Sequence, residues 1–431
     1  MKKTIVREIF LAGLAGVGPY FLVKRKVRLE GDILKVEQLE LDLSQIGSVY
    51  LIGAGKAFAA QAKAIEEILG QKIKAGIGVT KYGHTLPLKK IKLFEAGHPL
   101  PDKEGGQATE AILGLLSEAK EEDLILCLLS GGGSALLFAP ARGISLEEIV
   151  KLNAGLLSSG AKIDEINAVR KHISSVQGGQ LAKRAYPARL VSLILSDVIG
   201  DPLDVIASGP TTGDESTFAD ALKVLKRYNL EDKVPAAILS HLQRGEPETP
   251  KKEDKIFERV TNIIIGNSRQ ALYAAKDKAG ELGWTPLILT SRMEGEAKEA
   301  ARVFASICQE VSISKNPISP PACILAGGET TVTLKGKGKG GRNQEFALAA
   351  AMQIEGWAEI TILSGGTDGT DGPTEAAGAV VDGKTLSKID KDPEEYLRNN
   401  DSYHFFKDSP YHLITGPTRT NVMDIIVGLV G

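Results

Sequence analysis

Glycines and carboxylates are concentrated in the segment SGGTDGTDGPTEAAGAVVD, residues 364–382, which directly follows the apolar run at 359–363. Glycine-rich turns let backbone amides approach an anion closely, because glycine has no Cβ. Asp368, Asp371 and Glu375 add hard oxygen ligands of the kind that divalent cations prefer. The segment therefore predicts a strand end that holds a metal-bound phosphate.

The same design recurs upstream, where glycines and polar residues again follow apolar runs. The segments are LCLLSGGGSALL at 126–137, LILSDVIGDPLDVIASGPT at 193–211 and ILAGGETTVTLKGKGKGGRNQE at 324–345. Four such loops on one chain are stronger evidence for a site than any single loop.

The segment LIGAGKAF places Gly53, Gly55 and Lys56 at a strand-to-helix turn. Amides at the start of a helix attract an anion, and the lysine adds a positive charge. The motif is not a P-loop, because Ala57 stands where that loop needs Ser or Thr, and Phe58 occupies the third glycine position of a dinucleotide fingerprint. We interpret Lys56 as a phosphate or carboxylate contact, and a tight turn with a solvated lysine is the alternative.

Three consecutive glycines, Gly131, Gly132 and Gly133, follow a wholly apolar strand in SGGGSALL. Successive amides in such a turn form a nest for a phosphate or carboxylate. Ser130 and Ser134 could donate hydroxyl groups to the same anion. A nucleophilic role for Ser134 is disfavoured, because the G-x-S-x-G spacing of a hydrolase elbow is absent.

Asp197 comes at a strand end, and Asp201 and Asp204 follow in a turn that contains Gly200 and Pro202. Carboxylates at that place suit a metal, but aspartate also caps helices and turns readily, so both roles stay open for Asp204. The preceding segment EINAVRKHIS predicts a helix with cationic side chains that could face the site, namely Arg170, Lys171 and His172. A catalytic base and a structural histidine both remain open for His172.

The segment KGKGKGGRNQE alternates glycine with Lys335, Lys337 and Lys339, and a helix is expected to begin near Asn343. Such a loop could close over phosphates, although a solvated hairpin tip would have the same composition. Arg342 differs from the lysines, because a planar guanidinium at a helix start can bind a carboxylate or phosphate bidentately.

Short apolar runs alternate with segments of helical period, which predicts an α/β protein with parallel strands. The first unit reads as a strand at 49–52 and a helix at 56–69, and the closing strand is expected at 411–415. A polar, proline-containing stretch at 243–258 indicates an exposed connection. The predicted organisation is an N-terminal domain at 1–245, a linker at 246–258 and a C-terminal domain at 259–431.

The 431 residues are 43% hydrophobic and 25% charged with a net charge of −2, as in ordinary globular proteins. No bulk attraction to nucleic acid or membrane is expected. Three cysteines far apart predict neither a disulfide framework nor a zinc site, and they favour the cytoplasm. The N-terminus MKKTIVREIFLAGLAGVGPY imitates a signal peptide, but Arg7 and Glu8 interrupt that pattern and predict an amphipathic helix.

Taken together, LIGAGKAF, SGGGSALL, the stretch from EINAVRKHISSVQGGQLA to SDVIGDPLDVIASGPT, GGETTVTLKGKGKGGRNQEFALA and SGGTDGTDGPTEAAGAVVD resemble the class II glycerate kinases. The resemblance covers nearly the whole chain. It implies Rossmann-like α/β/α layers in the N-terminal domain, an α/β MOFRL-type C-terminal domain and an active site in the interdomain cleft. It also implies ATP-dependent phosphorylation of D-glycerate, with 2-phospho-D-glycerate as the product and Mg²⁺ as the cation.

The resemblance assigns Lys56 and Arg342 as active-site cations. We add that Asp197 and Asp368 would bind the metal or orient the substrate hydroxyl, with Asp197 as a catalytic residue. The predicted substrate or nucleotide contacts are Gly53, Gly55, Ser130, Gly131, Gly132, Gly133, Ser134, Lys337, Lys339 and Asn343. D-Glycerate and ATP are the expected partners, without nucleic acid or membrane, and a homodimer stays open.

Two other functions compete with this one. Related sequences have been described as hydroxypyruvate reductases, but a complete G-x-G-x-x-G with an acidic residue about 20 positions later is missing, as NAD(P)H binding would require. A non-catalytic glycerate or phosphate sensor would not need clustered carboxylates. The kinase hypothesis is therefore preferred.

Overall fold

The segment that imitates a signal peptide is a helix, α1 (Lys2–Gly16), in the computed structural model, which describes residues 2–431. One face of α1 carries Val6, Ile9, Phe10 and Leu14, and all four side chains are buried. The prediction of an amphipathic first helix is confirmed.

Among residues 2–431, no single helix is long and apolar enough to cross a membrane. Helix α1 and the next helix, Pro19–Lys26, meet the length and composition criterion only as a pair, and the pair is bent by 51°.

The chain forms two units, one of residues 19–265 and one that joins residues 2–18 to 266–431. In chain order, the elements of the first unit are α2 (Pro19–Lys26), β1 (Val27–Glu30), β2 (Ile33–Val36), β3 (Leu39–Asp42), β4 (Val49–Ala54), α3 (Phe58–Leu69), β5 (Ile73–Lys81), β6 (Ile91–Ala96), α4 (Lys103–Leu116), β7 (Leu124–Leu129), α5 (Gly133–Leu136), α6 (Leu146–Ser158), α7 (Ile163–His172), α8 (Gln180–Ala185), β8 (Arg189–Leu195), α9 (Phe218–Arg227), α10 (Ala236–Arg244) and β9 (Val260–Gly266).

The main sheet of this unit has the strand order β6-β5-β4-β7-β8-β9, and the strands from β6 to β8 are parallel. Strand β4 comes first of these six along the chain but lies inside the sheet. Strands β5 and β6 are added on one side of β4, and β7, β8 and β9 are added on the other side. Ligands of doubly wound sheets bind in the crevice beyond the carboxyl ends of the strands at such a reversal. The loops after β4 and β7 lie at this position.

Alternate residues of the strands supply two separate cores. Tyr50 and Ile52 face a core that includes residues of α4 and α8, whereas Leu51 faces one with residues of α3 and the antiparallel β1-β2-β3 meander. The first unit therefore has the layered α/β architecture that was predicted, with an added meander that was not. Helices α6, α7, α9 and α10 form a cluster with an apolar core of their own, centred on residues such as Ile149 and Val169.

In the second unit the remaining elements are α11 (Ser268–Glu281), β10 (Thr285–Met293), α12 (Ala297–Ser314), β11 (Ala322–Gly328), α13 (Arg342–Gln353), β12 (Ile360–Gly366), β13 (Gly378–Asp382), α14 (Pro393–Arg398), α15 (Ser402–Phe406), β14 (His412–Leu413) and β15 (Asp424–Val430). Its sheet has the order β10-β11-β15-β12-β13-β14. Only β10 and β11 run parallel, and the last long strand, β15, lies antiparallel between β11 and β12.

The expectation of parallel strands throughout is thus wrong for the second unit. The expected closing strand at 411–415 is only the two-residue edge strand β14, and the true closing strand is β15. Every residue of β15 is buried, because the strand has neighbours on both sides and helices on both faces.

The division between the units differs from the predicted domains. Strand β9 extends the first sheet, so the boundary follows Ile265, and residues 2–18 join the second unit because α1 packs on α11, β12 and β15. The stretch predicted as a linker is anchored to the first unit: Asp214 N donates to Pro250 O at 2.9 Å, and Thr249 Oγ1 donates to Asp214 Oδ2 at 3.1 Å.

Gly53 shows how closely the two central strands approach each other. Its φ is +147°, and a Cβ there would lie 2.0 Å from Leu128 O of β7. We predict that Gly53→Ala lowers the free energy of unfolding by roughly 3 kcal/mol, because it adds both overlap and backbone strain. Urea unfolding followed by circular dichroism measures this value.

Gly114→Ala is the matched control, since Gly114 lies within α4 and its Cβ would meet no atom within 4 Å. It should stabilise the protein by about 1 kcal/mol through helix propensity. Equal effects of the two substitutions would contradict the packing argument.

Candidate active site

The turn after β4 and the loop after β7 are joined by hydrogen bonds. Lys56 N donates to Gly131 O at 2.9 Å, and Ala57 N donates to Ser130 Oγ at 3.0 Å. Lys56 is only 8% exposed, which is unusual for a lysine unless it serves a partner or a ligand. The structure therefore brings the predicted Lys56 turn and the predicted glycine loop together at the reversal of strand order.

The glycine loop presents amides that could hold an anion. Within residues 2–431, the N–H groups of Gly131, Gly132 and Ser134 have no hydrogen-bond acceptor, whereas Gly133 N donates to Ser130 O. Gly132 has a φ of +86°, the left-handed conformation that turns successive amides toward one side. This geometry fits the predicted nest for a phosphate or carboxylate.

Residues that the sequence analysis missed position Ser134. Gln177 Nε2 donates to Ser134 O at 2.8 Å, and Ser208 Oγ lies 2.9 Å from Ser134 Oγ and 3.3 Å from Asn167 Oδ1. Gln177, Asn167 and Ser208 lie in segments from which the sequence analysis selected other side chains as candidates. Their spacing along the chain gives no signal that they contact Ser134. The network holds the end of the glycine loop in place.

Two of the three aspartates predicted after β8, Asp197 and Asp204, have different surroundings. Asp197 is half-buried two residues beyond the strand end, as predicted from its position. Asp204 Oδ2 lies 3.4 Å from Lys171 Nζ, and the same buried lysine lies 3.2 Å from Asp214 Oδ1. Asp204 thus serves an ion pair, which favours the structural alternative for this residue.

The cationic helix residues before this loop are also structural. His172 Nδ1 lies 2.7 Å from Ala168 O and its Nε2 lies 3.2 Å from Glu248 Oε2, so both ring nitrogens are engaged. Arg170 Nε donates to Asn153 Oδ1 at 2.8 Å. A role as catalytic base for His172 is therefore disfavoured.

In the second unit, Arg342 forms a fork with Asp424 at the start of β15. Its Nε donates to Oδ2 at 2.6 Å and its Nη2 to Oδ1 at 3.0 Å, and Nη1 lies 2.8 Å from Glu329 Oε1. Burial alone would lower the pKa of Arg342, but the adjacent carboxylates raise it, with Asp424 first, so the side chain stays charged. These contacts use three of the five guanidinium N–H groups and leave two for a ligand.

Asn343 is committed to the fold. Its Nδ2 donates to Asp424 Oδ1 at 2.9 Å and lies 3.4 Å from Asp371 Oδ1, while Ser364 Oγ donates to its Oδ1 at 2.6 Å. Because no N–H remains, its amide could contact a ligand only through the second lone pair of its oxygen. The predicted ligand-binding residue positions Asp424 and Asp371 instead.

Asp371 caps α13 from a distant loop. The helix begins after Gly341, which has no side chain, and Asp371 accepts from Asn343 N at 3.1 Å and from Gln344 N at 2.8 Å. Burial raises the pKa of Asp371 to about 6, although these amide hydrogen bonds act in the opposite direction. These hydrogen bonds favour a structural role for Asp371 over the metal-binding role that was expected, because its oxygens satisfy the helix start.

Two other carboxylates of the same loop differ from each other. Glu375 accepts a hydrogen bond from the hydroxyl of Tyr403, and this hydrogen bond lowers the pKa of Glu375. Asp368 Oδ1 accepts from Thr370 N and Oγ1, each at 3.1 Å, at the strand end where it was predicted. Among residues 2–431 there is no cluster of three or more metal-ligating side chains.

The lysine-glycine loop lies against residues 399–401. Lys337 N donates to Asn399 Oδ1 at 3.2 Å, Lys339 N donates to Asp401 Oδ1 at 2.7 Å, and a Cβ at Gly338 would lie 2.3 Å from Asp401 Cβ. The alternating glycines therefore permit this close contact. Lys339 Nζ lies 4.6 Å from the centroid of the Tyr403 ring, which is a cation-π contact.

A pocket of about 530 Å³ opens beside the start of α13. Arg342, Glu329, Glu345 and Asp371 are its ionisable lining residues. Val332, Leu334 and Pro373 are among its apolar walls. A mixed apolar and charged lining of this size suits a small organic ligand.

Two protein-family models match this chain, and most of each match lies in a different unit. A family model described as a domain of unknown function, DUF4147, matches residues 5–243, and the MOFRL family model matches residues 322–424.

Curated relatives match almost the full length. The chain is 50% identical to the D-glycerate 2-kinase of Thermotoga maritima, covering 89% of this chain and 90% of the relative. It is 44% identical to the glycerate 2-kinase of Pyrococcus horikoshii, covering 99% and 97%. It is also 42% identical to a putative hydroxypyruvate reductase of Agrobacterium vitis, covering 90% and 100%.

The fold has a close counterpart among solved structures. A crystal structure of glycerate kinase from Thermotoga maritima superposes with a TM-score of 0.87 at 45% identity, covering 100% of this chain and 99% of that one.

The buried Asp371 generates a pH prediction. Its pKa is raised from 3.8 to about 6 on folding, so between these values the folded chain binds more protons than the unfolded chain. The contribution of Asp371 to the free energy of unfolding should therefore fall as pH rises through this window and stay level above it. The variant Asp371→Asn cannot titrate, so the difference in unfolding free energy, wild type minus variant, should decrease over the same window.

Urea unfolding at a series of pH values measures this difference. The exposed residue Asp277 on α11 provides the control substitution Asp277→Asn, which removes one carboxylate without touching a helix start. If the unfolding free energy of the wild type minus that of Asp371→Asn stays constant with pH, the pKa of Asp371 is not raised by burial, and the prediction is contradicted.

Proposed function

We propose, because the chain belongs to the glycerate kinase family with a C-terminal MOFRL domain, that it is an ATP-dependent glycerate 2-kinase. Its substrates are D-glycerate and ATP, and its product is 2-phospho-D-glycerate. The observation that carries this proposal is the nearly full-length similarity to two glycerate 2-kinases at 50% and 44% identity.

Phosphoryl transfer needs positioning and charge neutralisation more than covalent help from the protein. In our proposal the free amides of the Gly131–Ser134 loop hold a phosphate or the substrate carboxylate, and Lys56 neutralises charge beside them. Arg342 would donate its two remaining N–H groups while Asp424 fixes its orientation.

In the reaction, the 2-hydroxyl oxygen of glycerate forms a bond to the γ-phosphorus of ATP, and the bond from that phosphorus to the β,γ-bridging oxygen breaks. ADP leaves with the electron pair of the broken bond. We assign acceptance of the hydroxyl proton to Asp197, whose half-buried carboxylate follows strand β8 at the carboxyl edge of the sheet. The expected site in an interdomain cleft stays a prediction.

Mg²⁺ belongs to the proposal as the cation that accompanies ATP. Magnesium typically keeps several waters and takes only one or two protein carboxylates beside the phosphates, so a cluster of three ligands is not required. Asp197 and Asp368, each half-buried just beyond a strand, fit this donor set. When bound, the cation would offset negative charge on the transferred group.

A reductase would use NAD(P)H, and the geometry at Phe58 disfavours that cofactor. The ring lies against bare strand backbone, since a Cβ at Gly78 would stand 1.9 Å from its Cζ. Dinucleotide-binding turns place a glycine at this position so that helix and strand pack closely around the pyrophosphate. Here an aromatic ring fills the space between α3 and β5.

We also propose a cytoplasmic enzyme without nucleic-acid or membrane partners. The net charge of −2 and three buried free cysteines support this assignment.

The first test of the proposal is a coupled assay of ADP formation with D-glycerate, ATP and magnesium, followed by NMR identification of the product. We predict ADP formation that depends on glycerate and on the divalent cation, and a phosphate on the 2-hydroxyl. NADH oxidation with hydroxypyruvate in the absence of kinase activity would overturn the assignment.

The second test concerns the two cations. Lys56→Ala and Arg342→Ala should each reduce kcat/KM by an amount corresponding to about 3 kcal/mol, because each meets charge that develops in the transition state. Arg342→Lys should recover only part of the loss, since lysine cannot form the fork with Asp424. Lys226→Ala, at an exposed position on α9, is the control and should retain activity. Near-normal turnover in Lys56→Ala would return that residue to a structural role.

A further inference from the structure

A second cavity lies within the first unit and is lined by residues of α7, α8, α9 and α10 and of the loops beside them. Its volume is about 610 Å³, within the range of small-molecule sites. Basic and imidazole side chains dominate its polar lining, namely Arg142, Lys171, His172, Arg184, His241 and Arg244. Glu246 is the single acidic residue among the lining residues.

Two of these basic groups are already neutralised. Lys171 pairs with Asp214 at 3.2 Å, and His172 Nε2 lies 3.2 Å from Glu248. Their charges therefore contribute little to the potential of the cavity.

The three arginines are different. Within residues 2–431, the side chains of Arg142 and Arg184 have neither a hydrogen bond nor an ion pair. Arg244 Nη2 lies 3.4 Å from His241 Nδ1, and Arg244 has no acidic partner among the same residues. By contrast, the exposed Arg227 of the same unit pairs with Glu165. Three unpaired guanidinium groups from three separate segments thus line one concave surface.

The rest of the lining suits the body of a small polar ligand. Ser174, Ser175 and Thr249 present hydroxyl groups, and Phe218 provides an apolar wall. Ser174 and Ser175 contact Ala139 O at 3.4 and 3.2 Å through their Oγ atoms, which keeps their positions fixed.

We propose that this cavity binds a small molecule that carries a doubly charged phosphate group. Guanidinium groups bind phosphate through paired, charge-assisted hydrogen bonds, and three of them exceed what a single carboxylate would neutralise. The phosphate could be free or part of a monoester, and these two sources share the same recognition chemistry. The assignment concerns a site apart from the proposed kinase residues Lys56 and Arg342.

The test is calorimetric titration of the full chain with inorganic phosphate in a Lys56→Ala/Arg342→Ala background. This background removes the two cations of the proposed kinase site, and the readout does not depend on kinase activity. The proposal would therefore stand or fall separately from the proposed function.

The test variant adds Arg142→Glu, Arg184→Glu and Arg244→Glu to the background. Phosphate affinity should weaken by at least about tenfold, because charge-assisted hydrogen bonds are lost. The matched control adds Arg28→Glu, Lys226→Glu and Lys233→Glu, which change the net charge equally at exposed positions of the same unit outside the cavity. Its affinity should change by no more than about twofold, because distant surface charges are screened by salt.

Circular dichroism checks that each variant is folded. If the triple reversal does not fold, the milder pair Arg142→Gln and Arg184→Gln replaces it, with at least about fivefold weakening expected for the loss of two charge-assisted contacts. Absence of phosphate binding to the background protein, or equal weakening in the cavity variant and the control, would overturn the proposal.

Glycerol 3-phosphate serves as the monoester in a parallel titration. Tighter binding than that of inorganic phosphate would support a site for a phosphorylated metabolite whose body contacts Ser174 and Phe218. Equal affinity, lost in the arginine variant, would support a site for free phosphate.

Discussion

The pairing of β4 with β7 is the constraint on which the first unit depends. Strand order reverses around β4, so the crossovers on its two sides depart in opposite directions and leave a crevice at the carboxyl ends of the strands. The backbones are so close that Gly53 has no room for a side chain beside Leu128 O. Because Lys56 N and Ala57 N then bond to the loop after β7, the lysine and the glycine nest occupy one fixed place.

Buried carboxylates have the corresponding role in the second unit. Asp424 at the start of the central strand holds Arg342, and Asp371 satisfies the first amides of α13. In a low-dielectric setting these charges are costly unless each is fully hydrogen-bonded, and each has several donors. The start of α13 is thereby fixed against the sheet, which aims the guanidinium group without a flexible hinge.

Sequence reasoning found the features that are local in the chain. Apolar strands that end in glycine, the lysine turn and the first helix follow from composition and period, and the family resemblance identified the kinase. The position of β15 could not be found in this way, because insertion between β11 and β12 depends on pairing with strands far along the chain. The role of Asp371 was missed for the same reason: it accepts a hydrogen bond from Asn343 N, 28 residues earlier at the start of α13, and its residue type alone suggested a metal ligand. The lysine-glycine loop was interpreted as a loop that could close over phosphates. Its contact with residues 399–401 could not be predicted, because those residues lie about 60 positions later in the chain.

The position of helix α1 determines which fragments of this protein can fold separately. Although the MOFRL match spans only residues 322–424, the unit that contains it also needs α11, β10 and the helix encoded at the opposite end of the chain. A fragment starting at residue 266 would expose the apolar surfaces that cover Ile9 and Phe10, and it should aggregate or remain partly unfolded. The second unit is therefore not a portable module: transplanting it into another protein would require the α1 sequence to be supplied with it, as a separate peptide or through a circularly permuted gene.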